Sequence, residues 1–383
     1  MAEARAEVSY GADYIRWFAG EAVRIDGEIL PPPSRDKRLL VLKQPVGLCA
    51  AITPWNFPIA MVTRKVAPAL AAGCAMLVKP APQTPLSCLA IAELALRAGL
   101  PTGLFSVVTG EASVIGPVLS THPLIRKLSF TGSTEVGKFL IAQASETVKK
   151  VTMELGGNAP FLIFEDADLE AAVEGLMLSK FRASGQTCIC ANRVIVQESV
   201  REHFTALLRT AVAELRVGSG TDEGITQGPL IDRTALEKVE HLVGDAMAKG
   251  ARVLLGGKRH SLGGTFYEPT ILEGCNPSMD LWDEEIFGPV IALYSFSTEA
   301  EAVAMANDTR VGLASYLYTR DMNRFWRVSE ALEYGMVGVN TGAISNAAAP
   351  FGGIKESGYG REGSSHGIED YLTLKYLCLG GVE

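Results

Sequence analysis

Between residues 47 and 153 the chain alternates short, unbroken apolar runs with longer stretches of mixed polarity. The runs at 47–52, 75–79, 104–108, 125–130 and 148–153 read as strands buried on both faces. The stretches between them, 58–72, 85–98, 111–120 and 134–146, open mostly on Pro, Thr or Glu and read as helices. Their connections are short and turn-like, as in Ala98-Gly99-Leu100-Pro101-Thr102-Gly103. This β-α order predicts a parallel sheet with helices on both faces. Ligands of such sheets bind beyond the carboxyl ends of the strands.

A second α/β region follows from about 157 to 356. It has expected strands at 161–164, 193–197, 266–271, 290–296, 315–319 and 336–339, and helices at 168–180, 199–215, 234–249, 298–307 and 321–333. Two pieces fit neither sheet. Residues 22–45 suggest an extended hairpin around Pro31-Pro32-Pro33, and 371–379 form a β-prone run. Both are expected to be exposed edges that another subunit covers, or else a hairpin folded back on its own domain. The fold class is thus α/β, with two sheet regions and a small β arm.

Composition narrows the classes of partner. With 383 residues, 48% of them hydrophobic and 20% charged, the chain can build two or three domains around large cores. Thirty-five basic against forty-three acidic residues give a net charge of −8, which argues against nucleic acid or an anionic membrane as the main partner. The most apolar stretch, 66–78, is too short to span a bilayer and contains Pro68 and Gly73. Residues 1–21 carry Glu3, Arg5, Glu7 and Asp13 and show no secretory pattern. Seven cysteines without a ladder of spacings predict reduced thiols and a cytoplasmic setting. No metal is expected, because no cysteine pair is followed by a second pair or by paired histidines.

The candidate chemistry lies in three short segments. Cys188 stands in Ser184-Gly185-Gln186-Thr187-Cys188-Ile189-Cys190, a glycine-containing turn. Glu154 stands in Met153-Glu154-Leu155-Gly156-Gly157, and Asn56 in Pro54-Trp55-Asn56-Phe57. Alone, each has a plainer reading: a small buried hydrophobe, a solvated charge, a turn residue. Together they supply a sulfur nucleophile, a general base and an amide donor for a developing oxyanion, the parts of covalent catalysis at a carbonyl carbon. The five histidines lie elsewhere, so the carboxylate is the better base. For a nucleotide, Gly132 and Ser133 in Thr131-Gly132-Ser133-Thr134-Glu135-Val136-Gly137 offer a tight turn and a helix N-terminus, and Lys79 ends the second strand.

With these landmarks the chain resembles the aldehyde dehydrogenase superfamily along its whole length. The shared motifs are Thr53-Pro54-Trp55-Asn56-Phe57-Pro58, Lys79-Pro80-Ala81, Phe130-Thr131-Gly132-Ser133-Thr134, Met153-Glu154-Leu155-Gly156-Gly157, Gly185-Gln186-Thr187-Cys188, Glu284-Glu285-Ile286-Phe287-Gly288-Pro289, Val339-Asn340 and Pro350-Phe351-Gly352-Gly353. The resemblance implies an N-terminal helix (1–21), an oligomerisation hairpin (22–45), a Rossmann-like NAD(P)-binding domain (46–156), a catalytic domain (157–356) and a C-terminal segment with an oligomerisation strand (357–383). It implies NAD- or NADP-dependent oxidation of an aldehyde by a homodimer or homotetramer. Trp55, Lys79, Gly132, Ser133, Gly137, Glu285 and Phe287 would serve the cofactor, with Cys188, Glu154 and Asn56 catalytic.

Within that superfamily the chain looks most like the succinate-semialdehyde group. Met61-Val62-Thr63-Arg64-Lys65, Lys180-Phe181-Arg182 and Ile344-Ser345-Asn346 match it, as does Cys190 two positions after the nucleophile. The match implies that Arg64, Arg182 and Ser345 meet the substrate carboxylate, that Asn340 and Phe351 line its tunnel, and that Cys190 could act as a redox switch. Family members carry on the order of a hundred further N-terminal residues that pack on the cofactor domain. Pro82 stands where many NAD-preferring relatives place a glutamate, which removes a charge that would repel a 2′-phosphate and suits NADP. The competing readings are another semialdehyde or a broad range of aldehydes, a cofactor-independent thiol hydrolase, and a chain that lacks catalysis.

Overall fold

The computed structural model describes residues 1–382. The chain forms two compact units. One comprises Ala4–Glu154, Ser345–Gly352 and the chain from Gly358 onward; the other comprises Met1–Glu3, Leu155–Ile344 and Gly353–Ser357. Among the described residues no helix is long and apolar enough to cross a membrane.

The first unit is built on a six-stranded sheet in the order Gly358–Tyr359, Lys150–Glu154, Ile125–Thr131, Leu48–Ile52, Met76–Lys79, Phe105–Val107. All pairs are parallel except the one made by Gly358–Tyr359, which runs antiparallel to Lys150–Glu154. From Leu48–Ile52 the chain winds outward through two strands, then crosses back to begin the other half at Ile125–Thr131. That reversal puts a topological switch point beyond Ile52 and Thr131. Helix Ala2–Glu21 buries Tyr14 and Phe18 against Val62, Val66, Ile368 and Tyr371. Each buried aromatic contributes roughly 2 kcal/mol through the apolar surface it removes from water. Helix Ala60–Ala71 is anchored at its start by buried Glu7, whose Oε1 accepts from Ile59 N (2.7 Å) and Ala60 N (2.9 Å). A carboxylate there satisfies exposed donors and complements the helix dipole.

The two segments that fitted neither sheet pair with each other. Glu28–Leu30, Arg38–Pro45 and Leu372–Leu379 form an antiparallel three-stranded sheet, in register from Leu372 opposite Pro45 to Leu379 opposite Arg38. Ile29, Leu374 and Tyr376 stand exposed on it.

The second unit holds a seven-stranded sheet in the order Arg252–Leu255, Thr270–Glu273, Val290–Phe296, Ala191–Gln197, Ala159–Ile163, Ala314–Tyr318, Met336–Val339. Only Arg252–Leu255, an edge strand absent from the sequence reading, is antiparallel. The strand expected at 266–271 begins only at Thr270, because Pro269 has no N–H to give a ladder and Tyr267 makes only an isolated bridge with Arg259. The helix expected at 199–215 is Arg201–Ala213, preceded by a 3-10 turn at Glu198–Val200. In the first unit the strand expected from 148 starts at Lys150, since Val148 is left-handed (φ 50°) after the turn Ser145–Thr147.

Candidate active site

Expected residues borne by four neighbouring strands and the segments after them stand together at the carboxyl end of the sheet. Ile52 is in register with Phe130 and Lys79, and Thr131 with Glu154, so the segments following each strand emerge at the same carboxyl end. Trp55 and Asn56 follow Ile52, and the Asn56 Oδ1 accepts from Phe57 N (3.1 Å). Lys79 is buried, its Nζ donates to Pro80 O (3.2 Å), and burial holds its pKa below the usual lysine range. Gly132 lies where a Cβ would meet the Phe130 ring at 2.4 Å. Its N–H donates to Glu154 O (3.1 Å), and Ser133 caps helix Thr134–Ala144 by accepting from Val136 N. Gly137 is buried in the first turns of that helix.

Glu154 sits in a cluster of buried charge. Its carboxyl is 2% exposed and neither oxygen has a hydrogen-bond partner. Burial foremost, then the Glu362 charge, holds its pKa well above the usual carboxylate range, against the pull of Lys65, Arg64 and Arg361. Lys65 donates to Ser129 Oγ (2.9 Å) and Glu362 Oε1 (2.5 Å), and Arg64 Nη1 lies 3.3 Å from Glu362 Oε2. Sequence reading named Glu154 and Arg64 but not Lys65 or Glu362, which lie 297 residues apart and carry no spacing signal.

Arg64 does not stand open to a ligand. It is 1% exposed, donates to Tyr10 OH (2.5 Å) and Tyr14 OH, and stacks on the Phe351 ring at 4.3 Å. The open cavity nearby, about 380 Å³, is lined by Tyr10, Trp17 and Ser345 among others, with the Arg16–Asp13 ion pair also on its wall. Arg64 therefore stands one residue behind that wall, and Phe351 is its packing partner.

In the other unit, Cys188 occupies the first central position of a turn closed by Cys190 N to Thr187 O (3.1 Å). Ala183, Ser184 and Gly185 before it are all left-handed, with φ of 49°, 57° and 77°. For the two non-glycine residues that costs on the order of 1 kcal/mol each. The loop is tied down by Ser184 Oγ to Gly228 O (2.9 Å) and by Gln186, whose Oε1 accepts from Ile231 N (2.9 Å). Two glycines admit close approaches: a Cβ on Gly157 would lie 2.3 Å from Cys188 O, and one on Gly185 2.2 Å from Gly288 O. Segments 155–158, 183–190 and 285–288 thus meet. Glu285 accepts from Gly157 N (3.1 Å), and burial pushes its pKa up to about 7. Phe287 is held at φ 55°, an uncommon conformation for an aromatic residue.

Cys188 is half-buried and Cys190 is buried, and neither is in a disulfide. Burial raises the Cys190 pKa despite Lys180, itself buried and donating to Asn192 Oδ1 (3.3 Å). Arg182 is half-buried at the start of the loop. Asn340, expected to line a tunnel, is exposed at φ 52°, and its amide is spent on Thr319 N (3.1 Å) and Thr319 O (2.9 Å). It fixes a backbone turn.

The carboxyl end of the sheet suits a dinucleotide. Thr53 and Thr131, at the ends of adjacent strands, have buried hydroxyls without hydrogen-bond partners, beside a capped helix N-terminus at the switch point. Polar groups buried unpaired are costly unless a ligand uses them.

The comparisons agree with this architecture. Residues 1–377 match the aldehyde dehydrogenase family, and the chain belongs to it; it is an NAD- or NADP-dependent aldehyde dehydrogenase. Among its relatives, the 3-sulfolactaldehyde dehydrogenase of Pseudomonas putida is 61% identical over 100% of this chain and 79% of its own length. The NADP-dependent succinate-semialdehyde dehydrogenase of Escherichia coli is 58% identical over 99% of this chain and 79% of its own. A solved succinate-semialdehyde dehydrogenase from Burkholderia pseudomallei superposes with a TM-score of 0.98 at 58% identity, covering 99% of this chain and 79% of that one.

Proposed function

We propose that the chain oxidises a short aldehyde bearing an anionic group at its far end, succinate semialdehyde foremost, through a thiohemiacetal and a thioester on Cys188. The observation that carries the reading is Glu154: a buried carboxyl with neither oxygen hydrogen-bonded is expensive to keep and suited to accepting a proton. In this reading the Cys188 thiolate adds to the aldehyde carbon. The Asn56 amide and the Cys188 N–H stabilise the oxyanion. The nicotinamide, when bound, supplies the acceptor for the departing hydride. Glu154 then takes a proton from water as that water attacks the thioester, releasing the acid. Trp55, Lys79, Gly132, Ser133, Gly137, Glu285 and Phe287 would hold the dinucleotide.

The anionic substrate is supported by Arg182, half-buried beside the nucleophile turn. A guanidinium attracts a carboxylate or a sulfonate alike, and the 3-sulfolactaldehyde dehydrogenase among the relatives makes a sulfonated aldehyde the second reading. We assign the exposed three-stranded sheet to contact with a second copy in a dimer or tetramer. A panel of succinate semialdehyde, glutarate semialdehyde, 3-sulfolactaldehyde and butanal, with NAD and NADP, tests the reading. The anionic aldehydes should exceed butanal in kcat/KM by at least tenfold, and Arg182→Met should erase that margin. Equal values for butanal would sink it.

A further inference from the structure

The backbone before Cys188 is left-handed at three consecutive residues, so the turn that presents the thiol depends on outside restraints. Its two central residues are Cys188 and Ile189, and each carbonyl is fixed from a different direction. The Cys188 carbonyl is seated against Gly157. The Ile189 carbonyl accepts a 2.8 Å hydrogen bond from the Tyr316 hydroxyl. Tyr316 is fully buried on the strand Ala314–Tyr318, its ring 5.6 Å from that of Phe161. Burial above all, then Cys190 and Cys188, keeps its phenol protonated, against Arg182. It is therefore a fixed donor throughout the working pH range.

We propose that Tyr316 is a positioning residue for the nucleophile: its hydroxyl, by fixing the Ile189 carbonyl, keeps Cys188 on the open side of the turn and Cys190 inside beside Lys180. The proposal rests on the reading of Cys188 as the nucleophile. Cys188 and Cys190 are two residues apart, so rotation of the intervening peptides exchanges which sulfur faces outward. The Cys188 N–H, assigned to the oxyanion, belongs to the same turn. Loss of the restraint thus reduces the fraction of molecules in the reactive geometry, and lowers kcat rather than affinity for the aldehyde.

The test is Tyr316→Phe, which removes one oxygen atom. Its kcat should fall by about tenfold, the rate equivalent of one hydrogen bond, with KM for the aldehyde within twofold. Iodoacetamide on the cofactor-free protein, read by peptide mass, should label Cys188 and spare Cys190 in the parent but label both in the variant, with the exposed Cys378 labelled in each as the internal reference. Tyr316→4-aminophenylalanine, which regains an N–H donor, should restore both readouts. Tyr318→Phe, whose ring stacks on the same Phe161 at 5.0 Å, should leave both unchanged. A folded Tyr316→Phe protein with parental kcat and unlabelled Cys190 overturns the proposal. Should that variant not fold, Tyr316→4-fluorophenylalanine fills the same volume without donating, and parental behaviour there overturns it equally. Alkylation needs no turnover, so if Cys188→Ala remained fully active the functional reading would fall while the labelling pattern still judged Tyr316.

Discussion

Replacing Glu362 with Gln tests the buried charge cluster most directly. Its carboxylate meets Lys65 at 2.5 Å and Arg64 at 3.3 Å, with both cations essentially shut from water. Gln keeps the shape and can still accept from Lys65, but it leaves two buried cations without a counter-charge. Breaking a buried pair in this way costs about 3–5 kcal/mol. For a unit of this size each kcal/mol moves the midpoint about 2–4 °C, so the expected fall is on the order of 10 °C. The pH dependence carries the sharper signature. Glu154 has its pKa raised by burial and then by Glu362, and lowered by Lys65 and Arg64. Without the Glu362 charge one raising influence disappears and the cations pull harder, so Glu154 ionises at lower pH. In the parent, the neutral Glu154 favours the fold fully below its unfolded pKa of about 4.3, and that contribution is lost as pH rises through the raised folded value. In the variant, an ionised Glu154 replaces the missing counter-charge. The deficit in melting temperature should therefore be larger at pH 5 than at pH 8, while the acid limb of the kcat profile moves to lower pH. Scanning fluorimetry at both pH values and a steady-state pH profile measure this. A deficit under 2 °C at pH 5, or an equal deficit at both pH values with an unmoved limb, would refute the cluster's electrostatic role.

Two further outcomes are expected. Glu154→Gln should give one stopped-flow burst of reduced cofactor and then slow by at least a hundredfold, because a general base contributes about that much or more; sustained turnover would remove Glu154 from the mechanism. Gly157→Ala places a methyl group 2.3 Å from Cys188 O and 3.4 Å from Leu313 Cβ, where the backbone must move. It should keep its circular dichroism but lose at least a hundredfold in kcat/KM and in Cys188 alkylation, and a loss under threefold would contradict the close approach.

The strands buried on both faces were legible because parallel pairing leaves no polar face, and helix starts showed in their caps. Asp168, Thr298 and Asp321 accept from the first turns of helices Leu169–Phe181, Glu299–Asn307 and Met322–Ala331. Arg252–Leu255 escaped notice because it is a short edge strand that follows the Gly250 turn after a long helix, with no two-sided apolar run. Phe266 and Tyr267 have β propensity and suggest an earlier start than Thr270, whereas Pro269 denies the ladder a donor. The surroundings of Glu154 and Arg64 were illegible for another reason. Glu362 reaches Lys65 across 297 residues and Tyr10 reaches Arg64 across 54, distances at which neither periodicity nor motif carries information. Tyr316 read only as one more apolar strand position.

Gly358–Tyr359 closes the edge of the sheet that ends in Glu154, and Glu362 follows directly. During synthesis the residue assigned as base is made some two hundred positions before the strand that flanks it. The sheet that holds Glu154 must therefore wait, with that edge unpaired, until residues 358–359 have been made. The unit made of Met1–Glu3, Leu155–Ile344 and Gly353–Ser357 has its last residues translated just before that edge strand.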